Sequence, residues 1–491
     1  MTRDHDLEPR NTAGSQGLRQ LPAVNDVLAQ AELAEQVEPW GREAVVNAVR
    51  AAIDEAREQI VRGEPADVDP AALAHRAAAI LRDDRPHLRP VLNASGILLH
   101  TGLGRAPLAA EAVEAVAAVS QGYCNLEIDL ESGERGRRTT GVDELLRRLT
   151  GAQAATVVNN NAGATVLALR ALASGREVVV SRGQLIEIGG SFRLPEIFEV
   201  SGARLREVGT TNRTRLSDYE RAIGADTAAL LRVHPSNYRV VGFTESVAIA
   251  DLAALARARG LAAIDDIGSG ALGLGLPPGV AGEPTAAESL AAGADLVLGS
   301  GDKLLGGPQC GLMLGTRAAV QRVESDPLMR ALRVDKMTLA ALEATLRLAL
   351  DPALAARRVP LWAFLSAPVA ALDDRAERLA AALRTTAALS ATAVRTTAYL
   401  GGGSLPTEPI LSAAVQILPP WPPPWTGEGQ WARALRLGNP AVVARVQGGA
   451  LLLDLRAIDP GNDDRLRDAV VAGLSSRESG FRSDCAPVSG F

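Results

Sequence analysis

GADLVLGSGDKLLGGPQCG, residues 293 to 311, decides how the chain is read. Its first part, ADLVLGS (294 to 300), is a short apolar run of strand type. It gives way at once to a glycine-rich turn that holds Lys303 between Ser300, Gly301 and Asp302 on one side and Gly306 and Gly307 on the other. In a mostly parallel α/β sheet, ligands sit beyond the carboxyl ends of the strands, so a strand ending in such a turn predicts a reacting group at the sheet edge. Lys303 is one of two lysines, the other being Lys336; the other 49 of the 51 basic residues are arginine. Arginine stays protonated and is no amine nucleophile, whereas a buried lysine can lose its proton and form a Schiff base. Where arginine serves as the general positive charge, a lysine kept in this turn is read as a nucleophile rather than as a surface loop residue.

The same texture extends outward. AATVV (154 to 158), REVVVS (176 to 181), AALLRVH (228 to 234), LAAIDDI (261 to 267) and GLMLG (311 to 315) are further candidate strands. Between most of them lie alanine-rich helical segments or glycine-rich turns, from about Val91 to Leu350. This is the pattern of a mostly parallel sheet covered on both faces. Before it, LPAVNDVLAQAELAEQV (21 to 37), GREAVVNAVRAAIDEAREQIVRG (41 to 63) and PAALAHRAAAILRD (70 to 83) carry apolar residues at three- and four-residue spacing and predict three helices. After it, a helix around 368 to 384, the runs TAYLGG, AVQIL, VVARV and LLLDLR, and a closing helix from about 463 suit a smaller α/β domain. The expected division is a helical module over 1–88, a large α/β domain over 89–350, a small C-terminal α/β domain over 351–475 and a disordered tail over 476–491. LPPWPPPWTGEG (418 to 429) reads as a stiff exposed loop.

A length of 491 residues suits about three domains at roughly 150 residues each. No apolar run approaches the ~18 residues of a membrane helix, and the start, MTRDHDLEPRNTAGSQG, lacks the apolar core of a signal peptide, so a cytoplasmic protein without a membrane partner is expected. Cys124, Cys310 and Cys485 lie too far apart in sequence for a disulfide framework or a paired-cysteine zinc site, and no metal is expected. The net charge of −6 gives no global attraction to nucleic acid, so a polyanion would have to meet a local basic surface. The helical module itself carries 11 positive and 16 negative residues between Arg3 and Arg89.

Other polar residues cluster at the same predicted sheet edge. Asp265 and Asp266 end the strand LAAIDDI, where two adjacent acids are costly to bury without a cationic partner. Asp266 is read as facing a cation such as a pyridinium nitrogen, and Asp265 as a cap before Gly-Ser-Gly. NNNAGAT (159 to 165), between a strand and a helix, places Asn161 and Ala162 where free N–H groups and the helix dipole form an anion site; an ordinary N-cap explains the same residues. With a Schiff-base lysine and a strand-end aspartate, these residues match the needs of pyridoxal phosphate. Arg105, Arg135, Arg137, Arg138, Arg330 and Arg333 lie in glycine-rich or helical segments. Arg330 and Arg333, three apart, would present two guanidinium forks on one helix face to a phosphate-like oxyanion. His234 ends a strand and suits either a role over a cofactor ring or a place in the core.

These motifs resemble the bacterial selenocysteine synthase family, the L-seryl-tRNA(Sec) selenium transferases, from about residue 18 to 472. The segments that carry the resemblance include LRQLPAVNDVL (18 to 28), VLNASGILLHTGLGRAPL (91 to 108), NLEIDLESGERGRR (125 to 138), VVNNNAGA (157 to 164) and SRGQLIEIGGSFRLPEI (181 to 197). It continues through LRVHPSNYRVVGF (231 to 243), DDIGSGAL (265 to 272), SGDKLLGGPQCG (300 to 311), PLMRALRVDK (327 to 336) and GGGSLP (401 to 406). The resemblance implies a pyridoxal-phosphate-dependent transferase of fold type I, the aspartate aminotransferase type: a mostly parallel large-domain sheet, a small C-terminal α/β domain and a helical N-terminal module that binds tRNA. It implies conversion of L-seryl-tRNA(Sec) to L-selenocysteinyl-tRNA(Sec) with selenophosphate, through an aminoacrylate intermediate, by a cytoplasmic homodecamer with no DNA partner. It further implies Lys303 as the cofactor-bearing lysine, Asp302 as a catalytic neighbour, Asp266, Asn161, Ala162 and His234 around pyridoxal 5'-phosphate, and Arg105, Arg330 and Arg333 on selenophosphate. The rival reading is a lyase or ammonia-lyase that uses the same cofactor on a small amino acid or amino-sugar acid, without tRNA.

Overall fold

The computed structural model describes residues 17–83, 87–188, 192–235, 237–273, 275–277, 280, 282–403, 408–421 and 423–474. The expected tail over 476–491, residues 404–406 of GGGSLP and residues 189–191 of SRGQLIEIGGSFRLPEI lie outside them. Contacts divide the chain into two compact units, Met1–Pro90 and Val91–Phe491.

In the first unit, helices Arg42–Val61 and Pro70–Asp83 bury one apolar stripe each. Val45, Val49 and Ile53 from the first meet Leu73, Ala77 and Leu81 from the second. The single helix expected over 21–37 is instead three short ones, Val24–Leu28, Ala31–Ala34 and Val37–Trp40. Gln30 between the first two is extended (φ −69°, ψ 133°), and the break lets both Val27 and Leu33 reach the same small core. Helices this short are marginal by themselves, so tertiary burial decides where they stop.

In the second unit the strands are β1 (Val91–Ala94), β2 (Ala154–Val158), β3 (Glu177–Ser181), β4 (Glu187–Ile188), β5 (Phe192–Arg193), β6 (Arg204–Val208), β7 (Thr227–Val233), β8 (Ala262–Gly268), β9 (Leu296–Ser300), β10 (Gly311–Gly315), β11 (Ser390–Tyr399), β12 (Pro409–Leu418), β13 (Ala441–Gln447) and β14 (Ala450–Asp454). Seven form one sheet in the order β2-β10-β9-β8-β7-β3-β6. β10 runs antiparallel to β2 and β9, and the other pairs are parallel. Successive residues serve two separate cores: Val157, Val179, Leu230 and Val297 face one, and Val158, Val180, Leu231 and Leu298 the other. That two-sided burial explains why these strands read as apolar runs without alternation. β6, with the sequence RLREV, escapes this signal because it is an edge strand whose Arg204, Arg206 and Glu207 are exposed.

The second sheet has the order β1-β13-β14-β12-β11 and is antiparallel except for β1 beside β13. β1 thus precedes the large sheet in sequence and pairs in the small one. Beyond β1, Leu98 N and Leu99 N donate to the carbonyls of Tyr399 (3.0 Å) and Leu400 (2.7 Å), which carries the segment after β11 toward the large sheet. The loop reading of 418–429 is corrected in part. Trp425 is buried in the core of the small sheet, and Trp421 meets Trp431 edge-on with 6.0 Å between ring centres. Large apolar rings overrode the local signal of the prolines.

Candidate active site

β9 ends at Ser300, and residues 301–305 turn sharply beneath it. Gly301 N donates to Cys310 O (2.9 Å) and Leu304 N to Ser269 O (2.8 Å), which fixes the turn against β10 and the segment after β8. A Cβ at Gly301 would stand 2.4 Å from Cys310 Sγ, so only glycine lets the chain pass here. Lys303 is 5% exposed, with its Nζ 3.4 Å from the carbonyl of Gly403. Burial pushes its amine well below the ordinary lysine range and the Arg105 guanidinium adds to this, while the carboxylates of Asp266, Asp302 and Glu283 pull the other way. Gly403 has φ +98°, and a Cβ there would lie 2.2 Å from Lys303 Nζ. The glycine run after β11 therefore closes over the amine.

Asp265 and Asp266 leave β8 on opposite faces, as the pleat requires. Asp266 accepts from Asn161 Nδ2 (2.9 Å), Thr165 Oγ1 (3.2 Å) and Gly268 N (3.0 Å). Burial raises its carboxyl above the usual range, against those hydrogen bonds and the nearby Lys303 amine. Asp265 is not a cap. It is fully buried and takes both forks of Arg232, at 2.7 and 2.6 Å, from the residue beside it on β7. The arginine inside the apolar run AALLRVH was the available signal, because a charge in a buried strand requires a partner.

Helix Asn161–Ala173 starts beside this carboxylate, with Asn160 as its cap through Gly163 N (2.8 Å). Asn161 and Ala162 open its first turn. Asn161 Oδ1 is buried without a hydrogen-bond partner among the described residues. His234 N donates to Asp266 O (2.9 Å), and its ring lies 3.7 Å from Glu283, a buried acid that no motif singles out. His234 and Glu283 help line a cleft of about 650 Å³ beyond β3, β6 and β7.

The arginines divide. Arg105 Nη1 reaches Asp302 Oδ2 at 2.7 Å, next to Lys303, from a backbone with φ 62°. That left-handed conformation is strained for a residue with a side chain. Arg330 and Arg333 line a second cleft, about 470 Å³, with Arg135, Arg137 and Arg138. The helix carrying Arg330 stops at Leu332, and Arg333 is extended (ψ 141°), so the expected presentation from one helix face does not occur. Arg333 instead bridges to Val158, and Asn159 N donates to Leu332 O (2.9 Å), which sets this cleft against the end of β2. Arg138 and Arg135 pair with Glu127, and Arg137 with Glu324.

A sheet of this order, with a buried lysine after β9 and a buried carboxylate near the end of β8, defines an α/β enzyme of the aspartate aminotransferase fold type. A family model described as L-seryl-tRNA selenium transferase matches residues 91–459, and one described as selenocysteine synthase N terminal matches residues 18–57. The chain belongs to the L-seryl-tRNA selenium transferase family. It is 48% identical to the L-seryl-tRNA(Sec) selenium transferase of Desulfomicrobium baculatum over 90% of this chain and 95% of that one. The Moorella thermoacetica protein of the same name is 46% identical over 97% and 100%. Among solved structures, D-glucosaminate-6-phosphate ammonia-lyase shares the fold with a TM-score of 0.54 and 20% identity, covering 79% of this chain and 96% of that one.

Proposed function

We propose that the protein converts L-seryl-tRNA(Sec) to L-selenocysteinyl-tRNA(Sec), with selenophosphate as selenium donor and pyridoxal 5'-phosphate as resident cofactor. The observation that carries this is the amine of Lys303, buried and biased toward its neutral form, one strand away from the buried carboxylate of Asp266. The donor set fits the cofactor. Lys303 offers a nucleophile for its aldehyde, Asp266 a charge partner for its ring nitrogen, and the N–H groups at Asn161 and Ala162 a seat for its phosphate. When bound, pyridoxal phosphate supplies an electron sink for a carbanion at the substrate α-carbon.

The chain's own groups would do the rest. Lys303 Nζ, with a lowered proton affinity, takes the α-proton as general base. Asp266, once a cationic nitrogen stands before it, stays ionised and keeps that nitrogen protonated. Asp302 is held by Arg105 within reach of the same turn and is placed to handle the proton that leaves with the seryl β-hydroxyl as water. The family resemblance assigns selenophosphate to Arg105, beside Lys303, and to Arg330 and Arg333, in the second cleft; His234 would lie against the cofactor ring, and the glycine run at 401–403 would keep water from Lys303. The helical unit before residue 90 would read the tRNA. A cytoplasmic homodecamer completes the reading by family resemblance.

The matches at 18–57 and over 91–459 favour this over a lyase acting on a small amino acid. Borohydride reduction of the yellow holoenzyme followed by peptide mass analysis should place the adduct on Lys303, and seryl-tRNA(Sec) should change the holoenzyme spectrum. An adduct on another residue, or none, overturns the assignment.

A further inference from the structure

We infer that the cleft of about 650 Å³ seats the terminal ribonucleoside to which the reacting amino acid is esterified; the inference rests on the function proposed above. The cleft opens beyond the carboxyl ends of β3, β6 and β7. It reaches the reacting centre through Glu283, whose charge acts on Lys303, and through His234, whose N–H is bonded to the carbonyl of Asp266.

Its charges exclude a free amino acid as the occupant it is built for. A free α-carboxylate calls for an uncommitted guanidinium, usually engaged by both forks. Among the described residues two arginines line the cleft. Arg232 already spends Nε and Nη2 on Asp265, and Arg239 is paired with Glu408 at the rim (2.9 Å). The buried Glu283 adds an acid to the same wall, and Glu245 there is itself paired with Arg215 (3.2 Å). An amino acid joined to ribose as an ester carries no carboxylate, so the lack of an open cation costs it nothing.

The cleft also has the size and lining for more than a seryl group. Its volume falls within the roughly 300–1,000 Å³ of sites for drug-sized ligands. Uncharged polar side chains, Gln184, Thr211 and Asn212, share the wall with the aromatic ring of Tyr238. Proteins bind an unstacked nucleoside with this combination, stacking on the base and bonding its edges and ribose hydroxyls.

The holoenzyme tests this in calorimetric titrations with L-serinamide and with 3'-(L-seryl)amino-3'-deoxyadenosine, an amide mimic of the charged terminus. The conjugate should bind at least about tenfold tighter, in line with the stacking of one base. Thr211→Trp, which fills the cleft from an exposed position, should bring the two affinities together. Equal affinities in the parent protein overturn the inference, as does a folded T211W protein that keeps the preference. Conversion of seryl-tRNA(Sec) in the same preparation separates the two failures. Turnover without nucleoside preference rejects the cleft alone, and no turnover rejects the function.

Discussion

Lys303 is costly to the fold because it is buried, and the proposed function makes the same amine the reacting group. Changing Lys303 to Ala should abolish the cofactor absorbance and turnover, and Lys303→Arg should fail equally, since charge cannot replace an amine that must bond to carbon. The same burial affects stability, with a definite sign. A lysine whose folded pKa is depressed gives up its proton on folding at any pH between that value and the ordinary ~10.4. Stability therefore rises with pH across the window, and the cost of burying Lys303 is complete below it. Lys303→Met should raise the melting temperature of the cofactor-free protein, with the gain shrinking as pH rises toward ~10.4. A gain that is flat with pH would refute the depressed amine. Arg232 and Asp265 give the converse case. Arg232→Met leaves a fully buried carboxylate unpaired and should cost about 3–5 kcal/mol in urea unfolding, while adding Asp265→Leu should recover most of it. Asp266, Lys303 and Asp302 were legible in the sequence as residue types at strand ends. Glu283 was not, because it reaches the site from a segment outside the strands, and Arg232 was legible only as a charge in a buried strand, since its pairing with Asp265 depends on register.

At the scale of elements, the chemistry depends on segments far apart in the chain being brought edge to edge. The run 401–403 follows a strand of the small sheet, yet it covers a lysine on the large one, because residues 98–99 tie the end of β11 to the chain leading out of β1. Gly403→Ala should drive a methyl into the Lys303 amine and add strain at positive φ. It should lower cofactor occupancy, read from absorbance, with little loss of secondary structure by circular dichroism. Trp425→Ala should destabilise the small sheet by about 3–5 kcal/mol, measured by chemical denaturation, since the ring is 4% exposed in its core. An exposed proline loop would lose almost nothing. The strands of the large sheet were readable because burial on both faces writes continuous apolar runs. β6 was not, because an edge strand has no such requirement, and the break at Gln30 was not, because nothing local demands it.

At the scale of the whole molecule, the first unit has a core of its own and the second holds every proposed catalytic group. A chain beginning at Val91 should keep cofactor binding and lose most of its affinity for seryl-tRNA(Sec) in a gel shift at moderate salt; unchanged affinity would remove the tRNA-reading role from the helical unit. By itself the sequence determined the fold class, the lysine, the strand-end aspartate and the family, because these depend on residue type, on periodicity and on short spacings along one strand and its turn. Only the tertiary structure decided that Asp265 belongs to Arg232, that Gly403 closes over Lys303, that Arg105 holds Asp302 apart from Arg330 and Arg333, and that a roomy cleft whose arginines, among the described residues, are both paired lies beside the amine. Those are meetings between segments tens to hundreds of residues apart, and their partners are chosen by strand order and register, which no local pattern encodes.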